Sequence, residues 1–197
     1  MRITPKDYTS YPWYLKPFFW KQYRTYGQLL KPALLWARVP KLFAAVASLY
    51  GVLDRRRSPI EPAVRSLVTV RVSQLNWCRF CVDINASVLA RRVGSMDKVE
   101  ALEGWRSSDL FSDMERAVLD YAEAMTDSRL QVDDSMVERL RQWYDDDGIV
   151  ELTGLIAFQN LSSKFNSALD MPPQGFCSAP VGTPKSSGDK AGHTVEH

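Results

Sequence analysis

Apolar residues recur at helical spacing along most of the chain. One set steps by four, three and four residues: Val82, Ala86, Leu89 and Val93. Gly94 follows directly, where a residue with left-handed backbone commonly ends a helix. Ser112 with Glu115, and Ser135 with Glu138, each have the spacing of a capping box in front of further apolar residues at helical spacing. The pattern therefore predicts at least three amphipathic helices.

Proline positions predict where other helices begin. Pro40 fits the first position of a helix that ends near Leu53. Pro62 opens a Val-rich segment, but residues 68–72 also alternate as a strand would, so the pattern does not distinguish the two structures there. A final long helix is predicted from Asp146 or Asp147 to about residue 169.

The chain length of 197 residues fits one globular domain. We expect an N-terminal arm over residues 1–39, a helical domain over residues 40–175 and a flexible tail over residues 178–197. The arm is rich in Tyr, Trp and Phe. Aromatic residues bury large areas, so the arm either packs on the core or another subunit, or presents a surface to a partner. The predicted fold class is all-α, with one domain.

Composition excludes several classes of protein. Hydrophobic residues make up 45% of the chain and charged residues 24%, which is typical of a folded domain. Lys and Arg number 25 against 23 Asp and Glu, without the basic excess that nucleic-acid binding requires. The longest uncharged apolar stretch, Leu42 to Leu53, is shorter than the roughly 20 residues that span a bilayer. No secretory signal is visible, so we expect a cytoplasmic protein with no nucleic-acid or membrane partner.

Two of the three cysteines form a C-x-x-C motif at a predicted helix start, Cys78-Arg79-Phe80-Cys81. The helix N-terminus and the Arg79 charge favour the thiolate form, which is the reactive form of cysteine. The same motif also occurs in zinc sites, and two buried cysteines can also be inert. Zinc would need further ligands, and the candidates Cys177, His193 and His197 lie in or near the predicted tail. We therefore expect no metal ion.

The segment around this motif is similar to a known family. Residues 67–85, LVTVRVSQLNWCRFCVDIN, resemble the alkylhydroperoxidase D-like core of the carboxymuconolactone decarboxylase family, and a weaker resemblance extends over most of residues 20–175. The resemblance implies an all-helical bundle, which makes the Val-rich segment a helix. It also implies a homo-oligomer and a peroxidase in which Cys81 attacks a hydroperoxide and Cys78 resolves the sulfenic acid. The resemblance implies no cofactor. It does imply an external dithiol or a protein reductant that regenerates the cysteine pair.

Two positions depart from that family. A Glu twelve residues before the first cysteine and a His four after the second relay a proton in the family, and this chain has Ser66 and Asn85 there. Neither side chain is an effective base near neutral pH. Asp83, Glu61 and Glu151 are the candidate replacements, although each is also explained by a solvated acid or a cap. Asn85 either hydrogen-bonds a sulfur or a ligand, or caps local backbone.

The leading hypothesis from sequence is a thiol-dependent hydroperoxide reductase acting through Cys78 and Cys81. Ser66, Asp83, Asn85 and Glu151 are the other candidate site residues. One alternative is a non-catalytic oligomeric member that binds a small molecule or a protein in the same pocket. Another is a cofactor-free lyase of the decarboxylase type, whose turnover would survive loss of both thiols.

Overall fold

A computed structural model of the protein describes residues 1–177, and every regular element in that range is helical. The predicted all-α, single-domain fold is confirmed. The predicted flexible tail, residues 178–197, lies outside the described residues. Short 3₁₀ turns occupy Tyr8–Ser10, Trp13–Leu15 and Leu102–Ser107. The α-helices are α1 (Lys16–Tyr26), α2 (Lys31–Trp36), α3 (Pro40–Leu53), α4 (Pro62–Leu75), α5 (Arg79–Val93), α6 (Asp97–Ala101), α7 (Asp113–Ala124), α8 (Asp134–Leu140) and α9 (Asp146–Ala168).

Local capping signals account for most helix ends. Pro40 stands at the first position of α3, and Gly94 ends α5 with a left-handed backbone at φ 78°. Ser112 and Glu115 form the predicted capping box at α7. The second predicted box is wrong, because Asp133 caps α8 through the Met136 N–H and Ser135 bonds to that Asp instead. The helix therefore begins at Asp134, and Ser135 lies inside its first turn instead of capping it.

Helix α4 lies at the centre of the molecule and packs against α5, α7 and α9. Its valines are fully buried on several sides, so its apolar residues show no single face. This burial explains why the sequence pattern of residues 68–72 resembles a strand as much as a helix. Helices α4 and α5 pair antiparallel, because Ser66 near the start of α4 bonds to Arg92 near the end of α5, while Ser73 bonds to Asn85.

The N-terminal residues fold back onto the body. Tyr11, Leu15 and Phe19 are buried in a cluster with Trp36 and Phe43. The Tyr11 hydroxyl donates to the Leu34 carbonyl at 2.8 Å. Other aromatic residues of this segment stay exposed: Trp13, Tyr14, Trp20 and Tyr23. The segment thus combines a buried face with an uncovered one.

A helix must be both long and apolar to span a bilayer. None of the helices within residues 1–177 is both long and apolar enough to cross a membrane.

Candidate active site

The turn between α4 and α5 places the cysteine pair at a helix start. Trp77 has a left-handed backbone at φ 55°, and its N–H donates to the Gln74 carbonyl. The Cys78 N–H donates to the Ser73 carbonyl at 3.0 Å. These two bonds form a Schellman motif, which reverses the chain immediately after α4. Cys78 therefore becomes the N-cap residue of α5 and Cys81 lies in its first turn.

Cys78 and Cys81 are joined by a disulfide, and both are buried, with exposures of 1% and 3%. The Cys81 N–H donates to the Cys78 sulfur at 3.2 Å. Arg79 does not face the sulfurs as expected from sequence. Its side chain is 65% exposed and pairs with Asp170 at 2.9 Å, because the first turn of α5 directs it outwards. Favourable electrostatics at Cys81 therefore come from the helix N-terminus.

A cavity of about 580 Å³ lies beside Cys81. It is bounded by residues of α1, α2, α3, α4, α5 and α9, and most of its lining is apolar. Of the two cysteines, Cys81 lines the cavity and Cys78 does not. A molecule in the cavity thus lies next to Cys81 and not next to Cys78.

Asn166 contacts the Cys81 sulfur from another helix. It lies on α9, is 2% exposed, and its Nδ2 donates to Cys81 Sγ at 3.3 Å. Its Oδ1 is buried and has no hydrogen-bond partner among the described residues. An amide donor at this position stabilises negative charge on sulfur. Asn166 was not predicted from sequence. The available signal was that Asn166 recurs at helical spacing with Gln159 and Ser163, two other polar residues on a buried helix.

Asn85 lines the cavity one turn after Cys81. Its Nδ2 donates to Ser73 Oγ at 3.2 Å and, more weakly, to the Thr69 carbonyl at 3.5 Å. Gln159 Nε2 donates to the same Ser73 oxygen at 2.9 Å. The Asn85 amide thus ties α5 to α4, and Ser73 connects this pair to α9 through Gln159. No described hydrogen bond joins Asn85 to a sulfur.

Ser66 also lines the cavity, and its hydrogen-bond partner Arg92 lies 26 residues further along the chain. Its hydroxyl oxygen accepts a hydrogen bond from Arg92 Nη1 at 2.8 Å. The two positions that depart from the family relay, Ser66 and Asn85, are therefore both on the cavity wall. Neither supplies a titratable group there.

The acids suggested from sequence as replacement bases do not line the cavity. Asp83 accepts the backbone N–H groups of Gln174 at 2.7 Å and Cys177 at 2.9 Å, so its carboxylate holds the C-terminal segment. Glu151 accepts from Arg55 and Ser58. Glu61 precedes α4 as its N-cap residue and is exposed. The structure therefore does not bring these three carboxylates to the cavity lining beside Cys81.

Charged side chains meet at another part of the cavity, which we call the charged end: Asp54, Arg65 and Arg92. Asp54 Oδ1 lies 3.3 Å from Arg92 Nη2 and 3.8 Å from Arg65 Nη1. Burial, with the Asp54 charge second, raises the pKa of the Tyr50 hydroxyl, which donates to Asp54 Oδ2 at 3.3 Å. Tyr50 therefore stays protonated at neutral pH.

No three His, Cys, Asp or Glu side chains of residues 1–177 come together in a group that could hold a metal ion. Cys177 packs at the edge of the core, and burial with the nearby Asp83 charge raises the pKa of its thiol. The other zinc candidates from sequence, His193 and His197, lie outside the described residues.

Comparison with known proteins identifies relatives of both sequence and fold. Residues 40–124 match the Carboxymuconolactone decarboxylase family. The uncharacterized protein YnjA of Escherichia coli is 47% identical over 169 residues, which cover 86% of this chain and 93% of YnjA.

Solved structures share the fold at lower identity. An uncharacterized peroxidase-related protein from Ralstonia eutropha, described as an alkylhydroperoxidase AhpD core, superposes with a TM-score of 0.80 at 20% identity, over 89% of this chain and 94% of that chain. The debrominase Bmp8 gives a TM-score of 0.77 at 23% identity, over 91% and 95%. Enzymes are thus found on this fold. The helical architecture, the cysteine pair and the extended identity with YnjA together show that the chain belongs to the carboxymuconolactone decarboxylase family and has its alkylhydroperoxidase D-like fold.

Proposed function

We propose that this protein is a thiol-dependent hydroperoxide reductase in which Cys81 is the attacking residue and Cys78 the resolving one. One observation carries the proposal: Cys81 alone of the pair lines the apolar cavity, where the Asn166 amide donates to its sulfur. A cysteine thiolate at a helix N-terminus that faces a binding cavity is the arrangement typical of reactive thiols.

The chemistry requires only thiols and a peroxide. The reduced Cys81 thiolate attacks the terminal peroxide oxygen, the O–O bond breaks, and the products are Cys81 sulfenic acid and an alkoxide. The alkoxide takes up the proton that thiolate formation released and leaves as the alcohol. The Cys78 thiol then attacks the sulfenic sulfur, which expels water and forms the Cys78–Cys81 disulfide.

The missing Glu and His relay leaves thiolate formation to fixed dipoles. Cys81 lies in the first turn of α5, where the unpaired N–H groups favour negative charge. The Asn166 amide adds a donor in a buried position, where an electrostatic interaction is stronger than in water. These two features support a reactive thiolate without a nearby base.

An external dithiol or a protein reductant must then return the disulfide to two thiols. We place its approach near Cys78, because Trp77 and Arg79 on either side are exposed at the surface. The cytoplasmic location predicted from sequence would supply such reductants, since thiols there are kept reduced.

The proposal is tested by mixing fully reduced protein with cumene hydroperoxide, quenching with an alkylating reagent and mapping the thiols by mass spectrometry. Cys78 and Cys81 are expected to lose their thiols together within seconds to minutes and to appear as one linked pair. Cys177 is an internal control, because its raised thiol pKa makes it the poorer nucleophile. It should remain open to alkylation.

Thiols at Cys78 and Cys81 that persist as long as Cys177 would contradict the peroxidase proposal and favour a non-catalytic binding protein. If a variant with both Cys78→Ser and Cys81→Ser still turns over a lactone, the result would favour the lyase alternative.

We further propose that the chain forms a homo-oligomer through the outer face of α3. That face carries an exposed apolar stripe with helical spacing: Leu42, Ala45, Leu49 and Val52. Phe43 faces away from this stripe and is buried in the body, and Leu53 is buried at the end of α3. An apolar stripe of this spacing suits another helix, and a second copy offers the identical stripe in a two-fold contact.

Leu49→Glu is expected to convert the oligomer to a monomer, because it places a carboxylate in the middle of the stripe. Size-exclusion chromatography with light scattering measures the change. Leu110→Glu, at an exposed apolar residue elsewhere, is the matched control and should leave the mass unchanged. A wild-type protein that is already monomeric at micromolar concentration would contradict the proposal.

A further inference from the structure

The cavity runs along α5 from Cys81 to Arg92. The α5 residues that line it on one face are separated by four, three and four positions: Cys81, Asn85, Val88 and Arg92. Eleven residues of α-helix extend about 16 Å, so the reactive sulfur and the Arg92 guanidinium lie at opposite ends of this face. Cys81 is buried, whereas Arg92 and Asp54 reach solvent. The charged end is therefore the open end.

Arg92 is held in place and still has hydrogen-bonding capacity. Its Nη1 donates to the Pro62 carbonyl at 2.7 Å and to Ser66 Oγ at 2.8 Å. Its Nη2 makes a longer bond of 3.3 Å to Asp54. Within residues 1–177, no acceptor is bonded to Nε. The edge of the guanidinium group formed by Nε and Nη2 therefore keeps N–H groups that are not hydrogen-bonded. The geometry of this edge suits the two oxygens of a carboxylate.

The charged end has an excess of positive charge. Arg65 is buried next to Arg92, with Nη1 donating to the Leu53 and Arg55 carbonyls. Its Nε is buried and has no partner among the described residues. One carboxylate, Asp54, faces these two guanidinium groups. Lys21 adds a third cation to the cavity lining, and Ser66 is neutral.

Between the charged end and Cys81 the walls are mostly apolar. The aromatic residues that line the cavity come from five helices: Phe18, Tyr26, Trp36, Phe43, Tyr50, Phe80 and Phe158. A volume of about 580 Å³ suits a small organic molecule. The walls therefore favour an apolar body, and the charged end favours an anionic head.

We infer that the cavity binds an elongated carboxylic acid with an apolar body, whose carboxylate lies on Arg92 and whose far end reaches Cys81. The inference rests on the proposed function, according to which the group that reacts with Cys81 is a hydroperoxide. This hydroperoxide would lie on the apolar body of the acid. Recognition of the head at one end would hold the O–O bond near the sulfur at the other, which lowers the entropic cost of reaction.

Binding of unreactive ligands tests the inference independently of thiol chemistry. The disulfide form of the protein is titrated with dodecanoate and with dodecan-1-ol by isothermal titration calorimetry. Dodecanoate is expected to bind at least about tenfold more tightly, since a charge-assisted pair adds to the same apolar burial. Arg92→Gln should remove this preference and leave the affinity for dodecan-1-ol unchanged, whereas Arg92→Lys should retain part of it.

Arg91→Gln is the matched control, because Arg91 is adjacent in sequence and does not line the cavity. Unchanged dodecan-1-ol binding shows that the Arg92→Gln cavity is intact. Equal affinity for acid and alcohol, or equal losses in the two Gln variants, would overturn the inference. If the acid preference holds but no hydroperoxide oxidises Cys81, the proposed function fails and the carboxylate site stands.

Discussion

Cys81→Ser is expected to abolish hydroperoxide reduction, with a loss of about a thousandfold or more in the rate of peroxide consumption. Cys81 is the cysteine of the pair that lines the cavity, so no other thiol can replace it there. Cys78→Ser should behave differently. Its Cys81 thiolate still attacks the peroxide, but the sulfenic acid has no resolving partner and accumulates after one turnover.

Stopped-flow measurement of peroxide consumption, combined with dimedone trapping and mass spectrometry, separates these two variants. One equivalent of trapped sulfenic acid at Cys81 is expected in Cys78→Ser and none in Cys81→Ser. Cys177→Ser serves as the control and should retain the wild-type rate, because Cys177 does not line the cavity. A Cys81→Ser protein that still forms sulfenic acid at Cys78 would show that the assigned roles are reversed.

The helices were largely predictable from sequence because their end signals are local. Pro40, Gly94 and the Ser112 capping box act within one turn of the chain. Where two cap-forming residues stand close together, as at Asp133 and Ser135, the sequence pattern does not decide which one bonds. Helix α4 was ambiguous for another reason. A helix buried on several sides has no polar face to reveal its period.

The candidate site was predictable only where its residues are neighbours in sequence. Cys78 and Cys81 lie within one turn, and Ser66 and Asn85 were found through the resemblance. Asn166 comes from a helix 85 residues further along the chain, so only packing brings its amide to the Cys81 sulfur.

The roles of charged residues were also not predictable from sequence neighbours. Asp83, two residues from Cys81, was a plausible base from sequence, yet its carboxylate accepts backbone N–H groups of the C-terminal segment. Arg92 had no assigned role until the fold placed it beside Ser66 at the charged end. The neighbours of a residue in sequence do not determine which groups its side chain contacts in the folded protein.

Asn166→Asp is expected to slow the oxidation of Cys81 at pH 7 by about tenfold or more. The substitution replaces an amide that lies 3.3 Å from the sulfur with a carboxylate of nearly the same shape. A like charge at that distance raises the thiol pKa, and once the pKa lies above the pH each further unit removes about nine-tenths of the thiolate. The rate should therefore recover as the pH rises, because hydroxide restores the thiolate in the variant.

The measurement is the rate of Cys81 oxidation by cumene hydroperoxide as a function of pH in Asn166→Asp, Asn166→Ala and Ser162→Asp. Ser162 lines the cavity one turn earlier on α9, so it tests the same new charge at a greater distance. Asn166→Ala should also slow the reaction, since it removes the donor, but with a smaller alkaline shift than Asn166→Asp. Because a merely structural role for Asn166 would lower the rate at every pH alike, the shift of the profile is the decisive result. A profile for Asn166→Asp that moves no further than that of Ser162→Asp would show that the amide does not set the thiol pKa.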